Sequence, residues 1–291
     1  MTENSRTQSS FWQRMLQHPA FRLLGLGFII FFMMAVSGGF MEKFKGNSLQ
    51  SIGAVMAMTT AAIAVYVGWA RLIERRSASE LSLSGAGREW GAGLLVGAGL
   101  YTASVLILIA LGVYRIEGLN PWTFVIPALA MALSSGVFEE LLFRGVLFRS
   151  VSDMFGDWIA LLVSAAVFGL VHLHNPAATL TGAIFISVEA GILLAAAYML
   201  TRRLWLSIGF HMSWNYTQSA IFSGIVSGGV AEPGLIRSNI KGPTILTGGS
   251  FGLESSIIAF ALCTTAGIVL LAMAVRRGTI ALPAWTRTGA R

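Results

Sequence analysis

Apolar residues in this chain come in long uninterrupted blocks, and polar residues gather between them. Blocks long enough to cross a bilayer, roughly 20 residues, fall at about 23–41, 51–70, 91–114, 121–143, 158–173, 180–200, 204–228 and 255–275. Each is predicted to be a transmembrane helix, with the fifth short and the seventh interrupted by polar positions. The linkers are brief. The longest are 71–90, rich in Ser and charge, and 229–254, rich in Gly with Pro233 and Pro243. No internal repeat or second domain is visible. The pattern therefore predicts an all-α polytopic membrane protein of about eight helices. Residues 1–22 form an N-terminal cytoplasmic segment, 23–275 the transmembrane domain, and 276–291 a basic cytoplasmic tail.

Composition agrees with that reading. Of 291 residues, 55% are hydrophobic and 11% charged, whereas soluble domains carry roughly 25% charged residues. Mean hydropathy is +0.72. A net charge of +7 would raise the question of nucleic acid in a soluble chain. Here the basic residues read as topology signals, and no nucleic-acid partner is expected. Eight spans put both termini on one side. With that side inside, fifteen of the 20 basic residues fall in inner segments, and only Lys43, Lys45, Arg115, Arg237 and Lys241 fall in outer loops. The bias favours an N-in, C-in arrangement in the cytoplasmic membrane. The lone cysteine, Cys263, excludes a disulfide framework or a Cys-based metal site. The polar first 19 residues lead to no short apolar core with a cleavage site, so no removable signal peptide is expected.

Three polar clusters interrupt the apolar blocks: Glu139, Glu140 and Arg144 in span four; Phe168, His172 and His174 at the end of span five; His211 and Asn215 in span seven. A charge at the bilayer centre costs about 2.5–3.5 kcal/mol on insertion scales, so these groups are expected to face a bundle interior or a wet cavity. Glu140 and Arg144 are four apart and can pair on one helix face. Glu139, turned by about 100°, is left for chemistry. His211 and Asn215 repeat the four-residue spacing, as do Phe168 and His172. At 1.5 Å per residue, His211, Glu139 and His172 lie roughly 10, 15 and 20 Å from the inner surface, close enough to meet. A carboxylate, two imidazoles and an amide at one depth suit hydrolysis. His174 reads as a core or loop residue beside Asn175 and Pro176, Ser134 and Ser135 read as small packing residues, and Glu189 and Glu254 have no assignable role.

Other membrane protease chemistries fail on residue content. No HExxH or Gly-x-Ser-Gly string occurs, and the only aspartates are Asp153 and Asp157, expected in the loop after span four. What remains is "FEELLFRG" as EExxxR, "FGLVH" as FxxxH and "HMSWN" as HxxxN, in that order. These motifs resemble the CPBP family of intramembrane proteases, which includes type II CAAX prenyl endopeptidases and bacteriocin-processing or self-immunity (Abi) proteins. "LTGGSFGLES" also looks like a recurrent bacterial form of that family, with Leu253 where Pro is frequent. The resemblance covers about residues 134–216.

The resemblance implies an eight-helix fold with a cavity open to the cytosol and a catalytic core at about 121–228. It implies that Glu139 and His172 activate water, that His211 and Asn215 stabilise the oxyanion, and that Glu140, Arg144 and Phe168 support them. Two cofactor readings stand side by side. Either a divalent metal such as zinc is held by Glu139, His172 and His211, or the mechanism is metal-free. The expected partners are a membrane-associated protein or peptide substrate and the lipid bilayer. Oligomeric state, cleavage position and prenylation of the substrate are not legible. The rival is a non-enzymatic membrane protein, such as a proton-coupled transporter or a self-immunity or scaffold protein, using the same buried cluster. Against a carrier, no inverted repeat is seen.

Overall fold

Helix forms wherever an apolar block exceeds the thickness of lipid hydrocarbon. The computed structural model describes residues 11–286. A short α1 (Phe11–Gln17) precedes α2 (Pro19–Lys43), α3 (Ser48–Leu72) and α4 (Ala86–Ala110). Strand β1 (Tyr114–Leu119) leads to α5 (Trp122–Phe155), α6 (Asp157–His174) and α7 (Leu180–Thr201). Then come α8 (205–221), strand β2 (Ile236–Ile240) and α9 (Ile257–Arg276). Seven of these, α2 to α7 and α9, are long and apolar enough to cross a membrane. The shorter α8 packs among them, so the protein is an all-α polytopic membrane protein. Proline and capping residues set the boundaries. Pro19 opens α2, Asn47 accepts from the amide of Gln50 at the start of α3, and Ser256 accepts from Ala259 at the start of α9.

Two elements differ from the lengths expected. Helix α5 runs to Phe155 instead of ending near 143, so Asp153 lies in its last turn and Asp157 opens α6. Neither is a loop residue. The helix continues because its polar end finds partners: Asp153 takes the Arg22 guanidinium of α2 at 2.6 Å, and Ser150 accepts from the same side chain at 2.9 Å. Helix α8 stops at Ile221 rather than 228. Tyr114 donates to the carbonyl of Phe222 at 3.0 Å, and Ser223 adopts a left-handed φ of 54°, which turns the chain out of the helix.

The two ends of the bundle sort the loops. At one end Arg22, Glu74, Arg76, Glu80 and Arg149 form a largely buried ion network, and Tyr66 donates into it at Glu80, 2.5 Å away. At the same end Asp157 pairs with Arg202 and accepts from the amide of Ala281 at 2.7 Å. These segments are the ones counted above as inner. At the other end β1 and β2, from two loops expected to be outer, pair antiparallel with an irregularity between Ile116 and Gly118. Seven helices, not the eight expected, are long and apolar enough to cross, because the seventh apolar block forms the shorter α8.

One core cluster gathers Tyr66, Phe138, Phe148 and Tyr198. The other gathers Tyr101, Phe143, Phe168, Phe210, Trp214 and Phe251. Leu24, Phe28, Phe32, Leu95, Leu162 and Ile268 remain exposed, as side chains facing lipid do. Helix α4 lies directly on α8. A Cβ on Gly93 would collide with the carbonyl oxygen of Leu206, and one on Gly97 with that of Phe210. Small residues thus bring the two backbones into contact and fix the helix that carries His211 and Asn215.

Candidate active site

The first two polar clusters sit where their helices depart from regular α geometry, whereas His211 and Asn215 lie in regular α-helix just before such a departure. Ser135–Glu139 and Leu141–Phe148 in α5 are π-helical turns, as are Ser187–Ile192 in α7 and Thr217–Ile221 in α8. Such turns recur at functional sites. Helix α6 ends in a 3-10 turn, His172–His174, because Pro176 disfavours helical geometry just before it.

Glu140 and Arg144 are both fully buried. The Arg144 Nη1 donates to Glu140 Oε1 at 2.9 Å, and its Nη2 donates to the carbonyl of Gly191 at 3.1 Å. The guanidinium lies 4.9 Å from the centre of the Phe168 ring, a cation–π contact. Phe168 also meets His172 at 4.8 Å and His211 at 6.0 Å between ring centres. It is the apolar floor beneath both imidazoles.

The carboxylate of Glu139 is the one facing the histidines. Its Oε2 lies 4.0 Å from His172 Nε2 and 3.8 Å from His211 Nε2. It has no hydrogen-bond partner among the described residues. The partners of the two rings decide their protons. His172 Nδ1 lies 2.6 Å from the carbonyl oxygen of Phe168. A carbonyl only accepts, so Nδ1 carries the hydrogen and the neutral ring keeps a lone pair on Nε2. His211 Nδ1 lies 3.0 Å from Glu140 Oε1, so a carboxylate orients that ring.

Asn215 donates through Nδ2 to Ser135 Oγ at 2.9 Å. Ser135 therefore does more than pack, which its sequence context did not reveal. Its position one turn before Glu139 was the available signal. Glu254 was also unassigned. It accepts from Trp214 Nε1 at 3.4 Å and from the amide of Ser227. The Ser227 carbonyl in turn accepts from Asn175 Nδ2 at 2.6 Å. The segment before α9 thus braces both α8 and the turn that carries His172. His174 is exposed on that turn.

Zinc ligands about 2.1 Å from the metal in a tetrahedron lie about 3.4 Å apart. The Glu139–histidine separations of 3.8 and 4.0 Å are wider. Among the described residues, no group of three His, Cys, Asp or Glu side chains is set to hold a metal ion. As placed, Glu139 is set farther from the two histidines than ligands of one tetrahedral zinc would be.

Fold and site define a helical membrane protein with a carboxylate and two imidazoles converging inside the bundle. A family model described as type II CAAX prenyl endopeptidase Rce1-like matches residues 121–217, about a third of the chain. That segment contains Glu139, Glu140, Arg144, Phe168, His172, His211 and Asn215. This core thus resembles the CPBP group of CAAX-type membrane proteases, a likeness that suggests a protease. A protease implies a peptide or protein substrate, and the apolar helices imply lipid. No curated protein and no solved structure matches the chain.

Proposed function

We propose that the protein is an intramembrane endopeptidase that hydrolyses a peptide bond in a membrane-associated protein or peptide, by a metal-free mechanism. The observation that carries this reading is the Glu139 Oε2, which lacks a hydrogen-bond partner among the described residues and is flanked by two imidazole nitrogens about 4 Å away. A water between Glu139 and His172 meets two acceptors, the carboxylate and the Nε2 lone pair. Both its hydrogens are engaged and its oxygen lone pairs are free to attack. As the oxygen attacks the scissile carbonyl, Glu139 takes the proton, and later returns it to the departing amine.

The oxyanion needs donors. The Asn215 amide has two hydrogens. One is used on Ser135 and holds the group in place, which leaves the other for the oxyanion. His211 contributes its Nε2–H when its Nδ1–H is held by Glu140. In that state Glu139, Glu140, Arg144 and a doubly protonated His211 sum to zero charge, which suits a low-dielectric site.

The test compares new protein N-termini in membranes carrying wild-type protein or Glu139→Gln. Termini present only with the wild type are expected to report the cleavage position. Purified Glu139→Gln is expected to fold normally and to lack turnover on the substrate so identified. Normal turnover by Glu139→Gln refutes the assignment.

A further inference from the structure

His211 and Asn215 line a cavity whose walls do not include Glu139. It is a small, partly open cavity of about 20 Å³, counted as room for the centre of a water molecule. One water needs roughly 10–15 Å³ by that measure. Glu189 of α7 and Glu254, from the segment before α9, also line it, together with Trp214 and Cys263. Both carboxyls are 2% exposed. Glu254 is partly satisfied by Trp214 and the amide of Ser227. The Oε2 of Glu189 has no hydrogen-bond partner among the described residues.

A buried carboxyl oxygen without a donor is costly, and apolar residues of similar volume are usually no worse for a fold. Two carboxyls from separate segments nonetheless border one water-sized space beside the site. A water there donates to Glu189 and Glu254, and finds further polar groups in Asn215 and His211. That meets the two to four partners a buried water requires. We infer that this cavity is a binding site for a single water, held by Glu189 and Glu254 against His211 and Asn215, and that it keeps the hydrolytic position supplied from within the bundle. The supply role rests on the protease reading above; the water site does not. Glu189 is a positioning residue that acts through the water it holds.

Hydroxyl-radical footprinting of the full-length protein in heavy-oxygen water tests the site without any substrate. Cys263 and Trp214, 3% and 7% exposed, are expected to take up heavy oxygen in the wild type and in Glu189→Gln. The label is expected to vanish in Glu189→Leu, while Met199, fully buried elsewhere, stays unlabelled throughout. Melting curves establish that each variant is folded. An unlabelled wild type, or labelling that Glu189→Leu leaves unchanged, overturns the water site. On a peptide that the wild type cleaves, Glu189→Leu is expected to lower turnover by about tenfold or more with KM unchanged, and Glu189→Gln to retain most of it. Full turnover in Glu189→Leu overturns the supply role. A wild type that cleaves nothing sinks the protease reading, and the footprint still decides the water site.

Discussion

Replacing Arg144 by Met removes the guanidinium and keeps much of the volume. The side chain is wholly buried, and it supplies hydrogen bonds to Glu140 at 2.9 Å and to the Gly191 carbonyl at 3.1 Å. Its loss leaves Glu140, also wholly buried, with the His211 ring as its remaining charged partner. Removing one member of a buried ion pair typically costs about 3–5 kcal/mol. Total stabilities are typically about 5–15 kcal/mol. At about 2–4 °C per kcal/mol for chains somewhat smaller than this one, the melting midpoint of Arg144→Met should fall by roughly 10 °C. Adding Glu140→Gln removes the stranded charge, so the double variant should recover part of the loss, with a coupling of about 1–3 kcal/mol. Turnover should stay low in both, because His211 has lost the carboxylate arrangement that orients it. Intrinsic tryptophan fluorescence melts in detergent, run as a double-mutant cycle, measure this directly. If Arg144→Met melts with the wild type, or the two substitutions add independently, the buried pair does not hold the site as argued.

Asn215→Ala is expected to depress turnover by about 10²–10³ with little change in KM, as loss of an oxyanion donor does. Asn215→Asp should be no better, and Ser135→Ala should give a smaller loss of the same kind; a pure KM effect in steady-state kinetics would assign these residues to substrate binding. At the opposite end of α5, burial alone would raise the Glu80 carboxyl, but hydrogen bonds from Arg76 and the charge of Arg149 hold it at about 2, against an ordinary 4.5. Because the folded value is the lower one, its stabilisation of about 3 kcal/mol is present above the unfolded value and is lost as pH falls from about 4.5 toward 2. Glu80→Gln should therefore flatten the melting temperature across that window, and an unchanged profile would refute the assignment. Reporter fusions at the C-terminus and within 229–254 should report opposite sides, with the C-terminus cytoplasmic; a C-terminus on the outer side would remove the N-in, C-in arrangement.

The helices were legible because lipid imposes one length rule on every pass: the spans read at 51–70, 180–200 and 255–275 appear as Ser48–Leu72, Leu180–Thr201 and Ile257–Arg276. The polar site residues stood out for a related reason. An ionisable group in an apolar block is expensive, so Glu139, Glu140, Arg144 and the two histidines announce themselves, and the pairing of Glu140 with Arg144 follows from four-residue spacing alone. Contacts between distant segments were beyond reach. Nothing local says that Ser135 receives the Asn215 amide across 80 positions, that Glu254 braces Trp214, or that Asp153 keeps α5 helical by meeting Arg22, 131 positions away. Nor does any local pattern show that Glu189 and Glu254 share a cavity. Local sequence determines where a helix lies and which of its groups cannot face lipid. Which buried groups satisfy one another depends on how helices dock, through contacts such as that of Gly93 and Gly97 on α8, and only the tertiary structure decides that.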